Sequence, residues 1–353
     1  MKLAGNDILD EITAEFKRKK SSFPRGGALD YPKIITGWIA QLEGYVLPYV
    51  TAGANATDAT GNLTMHDREH VERVRRIASD LIDQSDTIVL NHFELTLLLV
   101  AIYLHDIGNT LGRDGHERHI HRALTAAGTM LPIDTIEYAT AKQIAGVHGG
   151  TINGSKDTIS TLPEKPGVSS MHVRLRLLAA ILKLADELAD DPARANRLQL
   201  AAGTLQQESV IYHVVAAALH SQMPDVATRE ITLNFAFYDP DLFKVMIGKG
   251  AGRVYLLDEI FDRSLKTYNE ARYCSRFMRP YVEFERVKVD IMIFDKSHEP
   301  LHNIVYTITE HGYGNHKSTI YEMVPELCAY NGNGKLTPAY LERLLTVALK
   351  GRE

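Results

Sequence analysis

Residues 93–109 read FELTLLLVAIYLHDIGN, and the fold turns on this stretch. Phe93 to Leu104 is the longest apolar run in the chain, interrupted only by Glu94 and Thr96. It is too short to span a bilayer and predicts a helix buried in a protein core. The run ends on His105-Asp106, two ionisable residues that are costly to bury unless something pairs with them. A divalent cation would do so, because neutral imidazole and carboxylate are both good ligands for first-row metals.

Two other helices present the same residue types. In residues 66–83, Val71, Val74, Ile77, Ala78, Leu81 and Ile82 recur at three- and four-residue steps, with His70 near the start. The segment LLAAILKLADELAD, residues 177–190, carries Asp186 near the end of an apolar helix expected over 171–188. Further helices are expected over 115–127 and 134–147. Helices packed in a bundle can project such residues into one pocket.

Outward from this core, residues 1–60 read as an N-terminal helical extension, broken by FPRGGA at 23–28. Residues 61–205 form the metal-binding helical core, and the small, polar stretch 51–64 reads as a loop leading into it. Residues 149–170 are polar and Gly/Pro-containing; at this length they read as a lid or binding loop. Residues 206–353 read as an appended α+β region. Strands are expected at 209–219, 230–238, 284–294 and 303–308, and helices at 242–273, 317–330 and 337–349. The fold class is therefore mainly α. The glycines of GKGAGR, 248–253, lack the strand-loop-helix frame and the Lys-Ser/Thr ending of a phosphate loop, and read as a break or turn.

Bulk composition narrows the function. A formal net charge of -5 argues against a protein that mainly coats nucleic acid. Two cysteines, Cys274 and Cys328, exclude a disulfide framework and a thiolate zinc site. They fit a reducing cytoplasm, and the first twenty residues lack the apolar core of a signal peptide. Of 15 histidines, eight lie between His66 and His148, which concentrates metal-binding capacity in the core.

The order His70, His105-Asp106, Asp186 over three helices resembles the HD superfamily of metal-dependent phosphohydrolases. The contexts HVERVRRIA, LLLVAIYLHDIGN and LLAAILKLADEL resemble it too, over roughly residues 60–200. The resemblance implies an HD-type helical bundle with one or two divalent ions, drawn from Mn, Fe, Mg, Ni and Zn. A second ion would use His148 and one of His116, His119 and His121, with His116 preferred and Asp106 bridging. His66, Arg113 and Lys183 are the expected catalytic or substrate-facing groups, with Arg68 and Arg118 as further nearby cations. An extra histidine like His66 is similar to that of HD proteins from prokaryotic conflict systems.

The implied reaction is hydrolysis of a phosphate ester or anhydride of a nucleotide by water activated at the metal. The substrate would be a nucleotide or another phosphorylated small molecule, with room left for single-stranded nucleic acid and for self-association, and with no membrane partner. The chain lacks the Glu-Asp pair of alarmone hydrolases. It also lacks the GYP tail of cyclic-dinucleotide phosphodiesterases, since GGTING follows His148. Two other readings share these residues: a di-iron HD-fold oxygenase, and a nucleotide-sensing regulator without catalysis.

Overall fold

The computed structural model describes residues 2–57, 67–85, 87–129, 134–244, 246–249, 252–309, 319–332 and 334–351. The protein is mainly α, with an α+β region in its C-terminal part. It divides into two compact units. The first holds the described residues up to Ala189 together with Cys274–Glu283, and the second holds Asp190–Tyr273 and Phe284–Glu353.

The first unit begins with α1 (Ile8–Arg18) and α2 (Tyr31–Tyr45). Asp7 and Asp30 cap them by accepting first-turn N–H groups, and Pro32 sits in the first turn of α2, where no N–H is needed. Then come α3 (Val50–Thr57), which makes helix of the first part of the stretch expected as a loop over 51–64, α4 (Arg68–Gln84) and α5 (His92–Leu104). Every residue of α5 from Phe93 to Leu104 is buried, as its unbroken apolar run requires, and α1, α2, α4, α7 (Thr135–Gly146) and α8 (Leu175–Glu187) all pack on it. Between them lie α6 (His116–Ala126) and the two-residue strands β1 (Gly167–Val168) and β2 (Met171–His172). The 149–170 segment is anchored at several points. Ile159, Leu162 and Val168 are buried, and the Thr158 hydroxyl donates to the Val147 carbonyl at 2.6 Å.

The start of α5 is held by a capping box, in which Asn91 and Glu94 satisfy each other's backbone N–H groups. Glu94 does more than cap. Only 1% exposed, it accepts the Arg174 backbone N–H and Nε–H, both at 2.9 Å, and Nη2–H at 2.6 Å. Removing it strands a cation whose side chain is only 23% exposed. Glu94→Ala is therefore expected to destabilise the fold by about 2–3 kcal/mol, somewhat less than for a fully buried pair, as read from the urea unfolding midpoint.

In the second unit, α9 (Arg197–Ala202) and α10 (Gln207–Ala218) precede β3 (Leu219–Asp225) and β4 (Glu230–Phe237). Next come β5 (Met246–Lys249), β6 (Gly252–Tyr255), α11 (Leu256–Met278), β7 (Arg286–Phe294) and β8 (Pro300–Thr309). The short α12 (Ile320–Met323) and α13 (Pro338–Lys350) end the chain's regular structure. The main sheet has the order β3-β4-β7-β8. Its outer pairs are antiparallel, and β4 runs parallel to β7, a pairing that requires the long crossover through β5, β6 and α11. Val287, Val289, Ile291 and Ile293 of β7 point to one buried face.

Two expectations for this region are corrected. Residues 209–218 form helix, not strand: buried Ile211, Val214, Val215 and Ala218 recur at helical steps, and that face overrides the β preference of their side chains. The glycine-rich break is the hairpin β5–β6, with Lys249 paired to Gly252, so the helix expected from 242 begins only at Leu256. Among the described residues, no single helix is long and apolar enough to cross a membrane.

Candidate metal centre

Five chain segments of the first unit deliver the site. His70 lies in the first turn of α4, behind the Asp67 cap. His105 and Asp106 directly follow α5, His116 opens α6, His148 follows α7, and Asp186 sits in the last turn of α8. His70, His105, Asp106, His116 and His148 are buried.

Two groups form around Asp106. His70, His105 and Asp106 make one cluster able to hold a metal ion, and Asp106, His116 and His148 make the other. Asp106 Oδ2 faces the first group, 3.7 Å from His70 Nε2 and 3.4 Å from His105 Nε2. Its Oδ1 faces the second, 3.2 Å from His116 Nε2 and 3.7 Å from His148 Nε2. Asp186 Oδ1 closes the first group at 3.1 Å from His70 Nε2 and 3.6 Å from His105 Nε2.

The donor chemistry fits cations. His105, His116 and His148 each direct Nδ1 at the backbone carbonyl three residues earlier, on Ile102, Arg113 and Ala145, at 2.7, 3.1 and 2.6 Å. Those carbonyls only accept, so each Nδ1 carries a proton, and on a neutral ring Nε2 is then a lone pair aimed inward. His116 Nε2 and His148 Nε2 then face each other at 3.2 Å beside a carboxylate oxygen. Two lone pairs at that distance repel unless a positive charge lies with them. His105 Nε2 is also buried with no acceptor in hydrogen-bond geometry. Nitrogen and oxygen donors without thiolate suit Mn, Fe, Ni or Zn.

Electrostatics divides the two groups. Burial opposes charge on His105, but Asp106 and Asp186 outweigh it and hold its pKa well above the ordinary value. Burial likewise opposes charge on Asp186, and His105 and His70 outweigh it, keeping that carboxyl well below its usual range. His148 is pushed down to about 3 by burial and by its histidine neighbours, so it stands as a neutral ligand. A cation entering the first group would take the place of the proton on His105.

Of the three histidines left open by the sequence, His116 is the one brought to Asp106. His121 instead meets the Tyr138 hydroxyl at 3.3 Å. Lys183 Nζ donates to the His148 backbone carbonyl at 2.8 Å, which ties it to the loop behind the ligand. Arg113 places its carbonyl on His116. Arg68 lies 3.3 Å from Glu43, and Arg118 is largely exposed beside Glu117. His66 lies outside the described residues.

Asn109 escaped the sequence reading. It is fully buried and donates Nδ2–H to Asp106 Oδ1 at 2.9 Å, fixing the carboxylate plane. Its signal was the polar residue three places after Asp106 in an otherwise apolar segment. Asn109→Ala is expected to weaken metal affinity about 10–100-fold, the usual loss when a partner orienting a ligand is removed; competition against a metal-chelating dye would measure it.

Fold and donor set together define a helical domain of the HD type with buried His/Asp clusters able to hold a divalent metal. The HD-CE family profile matches residues 57–263, more than half of the chain, and the chain belongs to the HD-CE family. No curated protein and no solved structure matches it. Family and His/Asp clusters fit a metal-dependent HD hydrolase.

Proposed function

We propose that this protein hydrolyses a phosphate ester or anhydride of a nucleotide at a centre holding two divalent cations. The observation that carries the reading is the division of Asp106, with one carboxylate oxygen turned to each histidine group. Bound divalent cations supply Lewis acidity, lower the pKa of water and clamp both sides of a phosphoryl displacement.

The chain's own residues prepare that chemistry. The carbonyls of Ile102, Arg113 and Ala145 take the Nδ1 side of three imidazoles, which leaves each Nε2 as the atom that would meet a cation. Asn109 holds the Asp106 carboxylate, and Lys183 holds the backbone of His148. Both are positioning residues. Arg113 stands beside His116 and is proposed to stabilise phosphoryl oxygens, with His66 proposed to serve the leaving group. The kinship with HD proteins of conflict systems belongs to the same proposal.

The test begins with elemental analysis of protein purified without chelator, followed by a nucleotide panel assayed with manganese. Up to two ions per chain and chelator-sensitive phosphate or nucleoside release are expected. Absence of metal after manganese reconstitution would overturn the proposal. So would iron-dependent oxygen uptake without hydrolysis, which would establish the oxygenase reading instead.

A further inference from the structure

A cavity of about 450 Å³ borders the N-terminal end of α8. Its walls come from residues 160–165, 174–177 and 276–281, all within the first unit. Five lining side chains are cations and Glu164 alone is acidic, so the wall is strongly positive.

The five cations are not equivalent. Arg174 is held by Glu94 and Arg279 by Glu283, and both serve the fold. Arg276 has Asp157 at 3.8 Å, with both side chains well exposed, a weak pairing. Arg176 donates to the carbonyls of Leu162 at 2.8 Å and Ser160 at 3.1 Å. Those neutral acceptors aim the guanidinium without cancelling its charge. Lys165 is exposed, and no carboxylate engages it among the described residues. The end of α8 adds positive potential, because Arg174 precedes the helix and places no side-chain acceptor on its first-turn N–H groups. Leu177, Phe277, Pro280 and Tyr281 add apolar and aromatic lining, with Ser160 beside them.

We propose that this cavity binds an organic phosphate of mononucleotide size. Arg176, Lys165 and Arg276 would take the phosphate oxygens, since arginine and lysine form short, charge-assisted bonds to them. The volume falls in the range of roughly 300–1,000 Å³ that small-molecule sites occupy. A bare inorganic ion would leave the aromatic lining unfilled. The site is separate from the metal centre. Arg176 and Asp186 are ten residues apart on α8, about 15 Å along the helix at 1.5 Å per residue. A mononucleotide held here is a second ligand, and its binding does not depend on the proposed hydrolysis.

The decisive experiment is calorimetric titration of ADP into the full chain after metal has been stripped with chelator and removed by dialysis. ADP is expected to bind, adenosine is not, and inorganic phosphate is expected to bind more weakly than ADP. The double variant Lys165→Glu, Arg276→Glu changes only exposed positions. It is expected to weaken ADP binding at least tenfold while thermal unfolding stays at the parent temperature. Equal ADP affinity in parent and double variant would overturn the assignment. Failure of millimolar ADP to bind the metal-free parent would also overturn it, as would phosphate binding as tightly as ADP.

Discussion

An Asp106→Ala chain is expected to retain neither ion and to lose hydrolytic activity by more than about a hundred-fold. Loss of an outer partner alone costs about 10–100-fold in metal affinity or activity, and Asp106 is shared by both histidine groups. Its two oxygens face different clusters, so a single truncation removes a ligand from each. Asp106→Asn is expected to be nearly as damaging, because one oxygen becomes an N–H donor that cannot bind a cation. Metal content per chain and hydrolysis of the best nucleotide substrate measure the effect, with circular dichroism reporting the fold. Two ions persisting in Asp106→Ala would show that the carboxylate does not bridge.

Gly108→Ala is expected to separate the two halves of the centre. A Cβ built on Gly108 would lie 1.9 Å from the backbone oxygen of His116 and 2.8 Å from its carbonyl carbon. No rotamer change relieves a clash with backbone, so the turn after α5 and the start of α6 must move apart. Overpacking of this kind costs about 1–3 kcal/mol, at times more. Displacement falls on His116 and spares His70, His105 and Asp186, so the variant should hold one ion where the parent is proposed to hold two. Gly149→Ala is the matched control beside His148, since a Cβ there meets nothing within 4 Å. Metal analysis and thermal unfolding of the two variants decide the point, and two ions in Gly108→Ala would refute the argument.

Much of this protein is legible in its sequence. The apolar run 93–104 could only be a buried helix, and α5 is buried throughout. The periodicity of residues 70–82 named the inward face of α4, and His70 lies on it. Residues 284–294 likewise read as a strand, and β7 spans Arg286–Phe294. These features are local: a side chain's place on a helix face or strand face follows from periods of 3.6 and 2. Where two local preferences competed, the reading failed. Ile211, Val214 and Val215 favour strands as residues, yet they line a helix because their spacing buries a helical face.

Other properties depend on atoms far apart in sequence. His116, His119 and His121 look alike in the chain, and only the packing of α6 on the turn after α5 selects His116 for Asp106. The opposed Nε2 atoms of His116 and His148 bring together residues 32 positions apart. Lys183 lies one turn before Asp186, but its reach to the His148 carbonyl is set by the approach of α7 and α8. The cationic cavity joins three segments that lie between Ser160 and Tyr281 in the chain. By itself, the sequence determined the core helices α4, α5 and α8, their buried faces and the ligand types they carry, because backbone periodicity is a short-range property. Only the tertiary structure decided which lone pairs converge and which cations surround a cavity, because those distances follow from how the helices pack.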